Sequence, residues 1–361
     1  MSIENASMLA LQEGLKEHKD TVDIAYQKAV LERICNAYNN AISHQANVPL
    51  PYQPGSKWKI QNERERHEYL QALKDYDFPT LLTLFENFFR NNGSRSILRK
   101  TLYPYLTKQA LYKPFIQMEF IVEVLHDIEV WKNYFEKDTV EDLRIPKIGN
   151  PFGYHINGVT VTGSSASSNY YAKRCNSLIS DISNPVVAEI GSGFGGLFYY
   201  LSKENPNATC IDFDLPEILV IAQYFLMMAF PEKQFLLFKE QGSEKKITKA
   251  TLNNYDMILL PNFQLVDLVD STVDLFINFH SLSEMDSITI DEYIKQISRL
   301  TRGFFFHENS KSPHQIGYGK HEVPVSKYPI SPKEFKLLYK MNAIWGETRY
   351  IEFLYSKKLV N

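Results

Sequence analysis

The period of the apolar positions changes near the middle of this chain. In the first 145 or so residues they recur every three to four places, the spacing of one helix face. Such stretches cover 23–42, 63–73, 80–89, 94–103 and 115–135. Prolines 51, 54, 79, 104, 114 and 146 punctuate them, and Pro79 stands where a helix can start. From Pro185 onward the apolar residues gather in short runs: VVAEI, ATCIDFD, YDMILL, TVDLFINF and GFFFHE. The helical stretches PEILVIAQYFLMMAF and SITIDEYIKQISRL lie between them, and AIWGETRYIEFLYSKK closes the chain as two aromatic-rich strand candidates. Strands alternating with helices predict βαβ units and a parallel sheet. Right-handed crossovers bring the strand C-termini to one edge, where ligands bind. Residues 146–168, rich in Gly, Ser and Asn, are expected to form a loop lying over a site, with a helix at 169–182 behind them.

An α/β fold follows, with an N-terminal all-helical domain. The expected boundary sets a helical cap, substrate and self-association domain at 1–149 against a ligand-binding α/β domain at 150–361. The helical part offers a homodimer face. Composition narrows the picture. The 361 residues are 44% hydrophobic and 22% charged, with a net charge of −3, which excludes a disordered chain and a nucleic-acid footprint. Cys35, Cys175 and Cys210 are scattered, without zinc or disulfide spacing. No apolar stretch reaches the roughly 18 residues of a membrane span. The N-terminus lacks the basic and apolar regions of a signal peptide, so a cytoplasmic location is expected.

The sharpest motif is Glu189-Ile190-Gly191-Ser192-Gly193-Phe194-Gly195-Gly196, between the VVAEI strand and a helix. Glycines there permit a tight turn and close approach of a ligand to the backbone. An acid follows at the right distance in IDFDLPE. Asp214, the last residue before the turn, is the first choice for ribose hydroxyls and Asp212 the second; capping and solvated charge are the competing roles. Nicotinamide and S-adenosylmethionine enzymes both use this arrangement. The opening Glu189, the mid-chain position behind a helical part and the closing strand pair favour the methyl donor.

With EIGSGFGG, IDFDLPE, LFINFHSLSEMD and FFFHENS in hand, the chain resembles a bacterial sugar O-methyltransferase family within the class I S-adenosylmethionine-dependent methyltransferases. The resemblance implies a Rossmann-like sheet, mostly parallel with its last strand reversed, and S-adenosylmethionine as cofactor, with S-adenosylhomocysteine as product. It implies that Gly191, Ser192, Gly193 and Gly195 line the donor and that Glu189 sits near its amino group. Asp214 and Leu215 would hold the ribose, and Asn262 and Phe263 would flank the adenine, with Asn278 completing the site. The acceptor implied is a sugar of a surface glycan, including lipopolysaccharide, or its precursor.

Methyl transfer to a hydroxyl needs positioning and a base. His280 leaves the fourth strand at the ligand edge and is the first candidate. Glu284 would orient it or act itself, and His307 is an alternative base. Asn150, Tyr154, Tyr170, Tyr171, Glu308, His314 and Tyr318 are expected to meet the acceptor, through the stacking and hydrogen bonding that suit sugars. The loop carrying His314 and Tyr318 is a candidate lid. Some metal-dependent sugar methyltransferases carry an acid after the fourth strand and an acid pair after the fifth; Asn278 and Glu308-Asn309 stand at those places, so a metal-independent reaction is expected, with Glu284 and Glu308 leaving a Mg²⁺ site open. A phenolic or natural-product acceptor, a nicotinamide oxidoreductase and a non-catalytic binding protein are the competing readings.

Overall fold

The structure is a computed structural model and describes residues 3–19, 23–91, 93, 97, 114–240, 246–345 and 349–358. Among the described residues the chain opens with the α-helices α1 (Ile3–Leu15), α2 (Ile24–Gln45), α3 (Ser56–Glu65), α4 (His67–Asp75), α5 (Phe78–Phe85) and α6 (Pro114–Tyr134). Apart from Ile97, the stretch expected to be helical over 94–103 lies outside the described residues. The long α2 starts at Asp23, whose carboxylate accepts the N–H groups of Ala25 and Tyr26. Its buried stripe, Val30, Leu31, Ile34, Tyr38 and Ala41, follows the 3.6-residue period. Fully burying each larger side chain contributes about 1.5–3 kcal/mol. The stretch expected as one helix over 63–73 is two helices, α3 and α4, meeting at Arg66.

The segment 146–168 is less irregular than expected. It holds a hairpin, β1 (Tyr154–Ile156) and β2 (Val159–Val161), and the first turn of α7 (Ser165–Ile179). Asn157 and Gly158 form its tip with φ of 49° and 81°. An Asn-Gly pair adopts those positive angles readily, and the resulting turn matches strand twist. The hairpin packs on α1, where the Gly153 N–H donates to the Gly14 carbonyl.

The remaining elements are β3 (Val186–Ile190), α8 (Gly196–Glu204), β4 (Thr209–Asp214), α9 (Pro216–Ala229), β5 (Phe235–Leu237), α10 (Lys249–Leu252), β6 (Met257–Pro261), β7 (Val273–Phe279), α11 (Ser287–Leu300), β8 (Thr301–Ser310), β9 (Gln315–Gly317), β10 (Lys320–His321), β11 (Phe335–Asn342) and β12 (Tyr350–Lys357). Eight strands form one sheet in the order β11-β12-β8-β7-β3-β4-β6-β5. Its ladders are parallel except those made by β12, the last strand, which runs against both neighbours. The architecture is therefore the expected mostly parallel sheet with a reversed last strand and a helical N-terminal region. Strands β3 and β6 are buried throughout, as parallel strands covered on both faces must be.

From β3 the chain goes to β4 on one side and later to β7 on the other. The resulting crevice lies outside the C-terminal ends of these strands. Helix α2 packs along α9, and one hydrophobic core runs from Leu11 to Leu354 without a break between the helices and the sheet. Among the described residues no helix is long and apolar enough to cross a membrane.

Candidate functional site

The glycine loop leaves β3 in the conformation its residues permit. Gly191, Gly193 and Gly195 have φ of 78°, 66° and 85°. A β-carbon on Gly191 would stand 2.6 Å from the Ser281 hydroxyl oxygen, so the loop root needs the bare backbone. The approach is close because the β7 exit is tied to β3. Ser281 Oγ and Asn278 Nδ2 both donate to the Ile190 carbonyl at 2.8 Å. Asn278 also accepts from the Leu282 N–H and from Asn309 Nδ2, so its amide is committed to structure rather than open to a ligand.

Three carboxylates lie beside the loop. Glu189 and Asp212 are register partners on β3 and β4, and Asp214 follows on the same face of β4. Ser192 donates from its hydroxyl to Asp212 at 2.6 Å, and the Leu215 N–H donates to Asp214 at 2.7 Å. Glu189 is 3% exposed, and its Oε2 has no hydrogen-bond partner among the described residues. Burial pushes Glu189 well above the usual carboxylate range, and Asp212 and Asp214 add repulsion. Burial likewise raises Asp212, to about 7, against the lowering effect of Ser192. Asp214 is raised by burial and then by Asp212.

Asn262 and Phe263 follow β6. The Asn262 amide donates to the Tyr52 carbonyl and to the Tyr293 hydroxyl, while its Oδ1 is buried without a partner. Phe263 packs edge-on against Phe238 and lines a hollow of about 400 Å³ with Ser43, His44, Asn47 and Val48.

His280 sits just past β7 with φ of 70°. Its N–H donates to the Glu308 carbonyl, and its Nε2 lies 2.7 Å from Glu308 Oε1. The other Glu308 oxygen accepts from the Tyr171 hydroxyl. Glu308 is fully buried, whereas the His280 side chain is 42% exposed. The imidazole lies flat on Tyr350, 4.2 Å between ring centres. With Nε2–H directed at the carboxylate, Nδ1 keeps a lone pair for an incoming proton.

The carboxylate that meets His280 is Glu308, not the expected Glu284. Glu284 instead pairs with Lys57 of α3 at 2.5 Å. His307 is on the opposite face of β8, as strand alternation requires. It stacks in a layer with Phe305, Phe353 and Tyr355, and burial lowers its pKa to about 3, so it stays neutral. Neither its face nor its charge suits the alternative-base role.

The expected acceptor residues divide. Tyr171 and Glu308 join His280. Tyr170 is fully buried among Tyr134, Phe135 and Trp345. Tyr154 is buried in the hairpin. Asn150 accepts from the His18 N–H and donates to Asn87, fastening the helical part rather than facing a ligand. In the β9–β10 hairpin, Tyr318 donates to Glu65 of α3 at 2.9 Å; His314, just before β9, contacts the Ser312 hydroxyl. Lys57, Trp58 and Arg66 also bear on this edge: Lys57 holds Glu284, and Arg66 lies 5.4 Å over Trp58. They and Tyr350 were not foreseen. They are remote in sequence from the motifs, and no local spacing announces them.

No protein family and no curated protein matches the chain. Several solved structures resemble it. The mitomycin 7-O-methyltransferase MmcR aligns at 12% identity and a TM-score of 0.37, over 91% of this chain and 95% of that one. The magnesium protoporphyrin IX methyltransferase of Synechocystis, solved with bound S-adenosylhomocysteine, aligns at 10% identity and 0.36, over 67% and 98%. The pyocyanin biosynthetic protein PhzM aligns at 10% and 0.35, over 54% of this chain and 56% of its own length. Likenesses this weak carry no argument about the chain's chemistry, and the fold rests on its own strand order.

Proposed function

We propose that this chain is an S-adenosylmethionine-dependent O-methyltransferase with a sugar hydroxyl as acceptor and His280 as base. The observation that carries the reading is the His280–Glu308–Tyr171 arrangement on the same sheet edge as the glycine loop. The donor fits the residues present. The unpartnered Glu189 Oε2 suits an ammonium group, and the positive-φ glycines 191, 193 and 195 give the tight backbone turn against which a donor can lie. Asp214 is available to ribose hydroxyls. When bound, the donor supplies an activated methyl group on a sulfonium.

The protein's own residues do the rest. Glu308 fixes the imidazole through Nε2, and Tyr171 fixes Glu308. Nδ1 takes the acceptor proton as the oxygen attacks, and the buried carboxylate stabilises the imidazolium that forms. The sugar assignment rests on the sequence resemblance. A phenolic or natural-product hydroxyl is the second reading, favoured by the aromatic wall of Tyr350, Tyr171 and Phe279.

Calorimetry with S-adenosylhomocysteine against NAD tests the cofactor. Binding of the first alone is expected; binding of NAD alone sinks the reading. His280→Ala is expected to abolish turnover on a glycan and phenol panel while donor affinity survives.

A further inference from the structure

We infer that donor binding is coupled to proton release from the Glu189–Asp212–Asp214 cluster, and that Asp212 is the positioning residue that sets this coupling. The inference rests on the donor reading above. It begins from geometry. Three carboxylates share one face of two adjacent strands, and Glu189 and Asp212 are direct register partners. Glu189 and Asp212 are 3% and 0% exposed, so their charges are not relieved by water. Full ionisation would put two buried negative charges side by side, with a third on the half-buried Asp214, and the fold cannot sustain these without protons or a cation.

Among the described residues the neighbours do not supply that cation in full. From α9 comes another acid, Glu217, which raises Asp214 further. From the α3–α4 junction comes Arg66, which acts on Asp214 but is also engaged by the Gly93 carbonyl and Asn62. From α11 the Tyr293 hydroxyl feels Asp214, and from α7 the Cys175 thiol feels Glu189; burial holds both groups neutral. In the glycine loop, Ser192 gives Asp212 two neutral donors, its hydroxyl at 2.6 Å and its N–H at 3.4 Å. The second indication of a ligand is Glu189 Oε2, buried and without a partner.

An ammonium group brought to this oxygen supplies the missing cation. The carboxylates then favour their ionised forms, and the protons they held leave. Asp212 does not need to touch the ligand. Its charge raises both Glu189 and Asp214, and its bonds to Ser192 fix the loop, so it links loop conformation to the charge state of the pocket. The sign follows from linkage: binding that releases protons tightens as pH rises. Release of one proton corresponds to about tenfold in affinity per pH unit within the titration range.

The test is calorimetry of S-adenosylhomocysteine binding to the full chain in buffers of different ionisation enthalpy near neutral pH. Proton release is expected for the wild type and a clearly smaller release for Asp212→Asn. A buffer-independent enthalpy in the wild type, or unchanged release in the variant, overturns the inference while leaving the donor reading intact. No binding at any pH overturns both. If Asp212→Asn does not fold, Ser192→Ala serves in its place. Loss of the hydroxyl donor is expected to move the pH window of release upward, and an unmoved window overturns the inference.

Discussion

At the scale of single residues, chemistry turns on which neighbour each titratable group meets. His280, just past β7, and His307, within β8, belong to the same sheet, yet their environments differ completely. One is partly exposed with a buried carboxylate on Nε2; the other is sealed in an aromatic stack and held neutral. On the proposed mechanism, Glu308→Gln keeps the shape but removes the charge that orients and stabilises the His280 imidazolium. Its kcat is expected to fall by about 100-fold or more. Donor affinity, measured by calorimetry, should stay within about twofold, because Glu308 lies on the acceptor side. An unchanged kcat would remove Glu308 from the mechanism.

At the scale of elements, the glycine loop and the β7 exit act as one clamp. Asn278 and Ser281 both reach the Ile190 carbonyl, and Gly191 passes directly beneath Ser281. Gly191→Ala adds a methyl group 2.6 Å from the Ser281 oxygen at a φ of 78°. Backbone strain alone is expected to cost about 1–3 kcal/mol, read as a lower urea midpoint at unchanged slope. Gly317→Ala is the control, since its β-carbon meets nothing within 4 Å at φ of 97°. It bears similar strain without the clash, so the larger loss should fall on Gly191.

At the scale of the whole molecule, the helical part and the sheet edge meet through polar contacts as well as core. Lys57 is 6% exposed and pairs with Glu284, and Tyr318 reaches Glu65. Leaving one partner of a buried pair alone is strongly destabilising, whereas neutralising both is mild. Glu284 is a quarter exposed, so Lys57→Met is expected to cost about 2 kcal/mol rather than the full 3–5. Lys57→Met with Glu284→Gln should recover most of it, as judged from paired denaturation curves. Failure of the double variant to recover would mean that Lys57 acts through packing on Trp58 rather than through its charge.

Much of this arrangement was legible in the sequence because its signals are local. A buried parallel strand needs a continuous apolar run, and a glycine turn needs glycines. The acid of IDFD comes at the end of the next strand by simple chain geometry. The sequence by itself therefore determined the strand–loop–helix unit, the helical N-terminal part, the placing of Asp214 and His280 at the C-terminal ends of their strands, and the final reversed strand. Only the tertiary structure decided what those groups meet. Glu308 rather than Glu284 takes His280 because strand alternation turns Glu308 to the histidine's side, while Glu284 is captured by a lysine 227 residues away. Asn150, Asn278 and Tyr170 became fastenings instead of ligand contacts because burial obliges a polar group to find a partner or an aromatic ring to pack. Such choices depend on contacts distant in the chain, and no periodicity carries them.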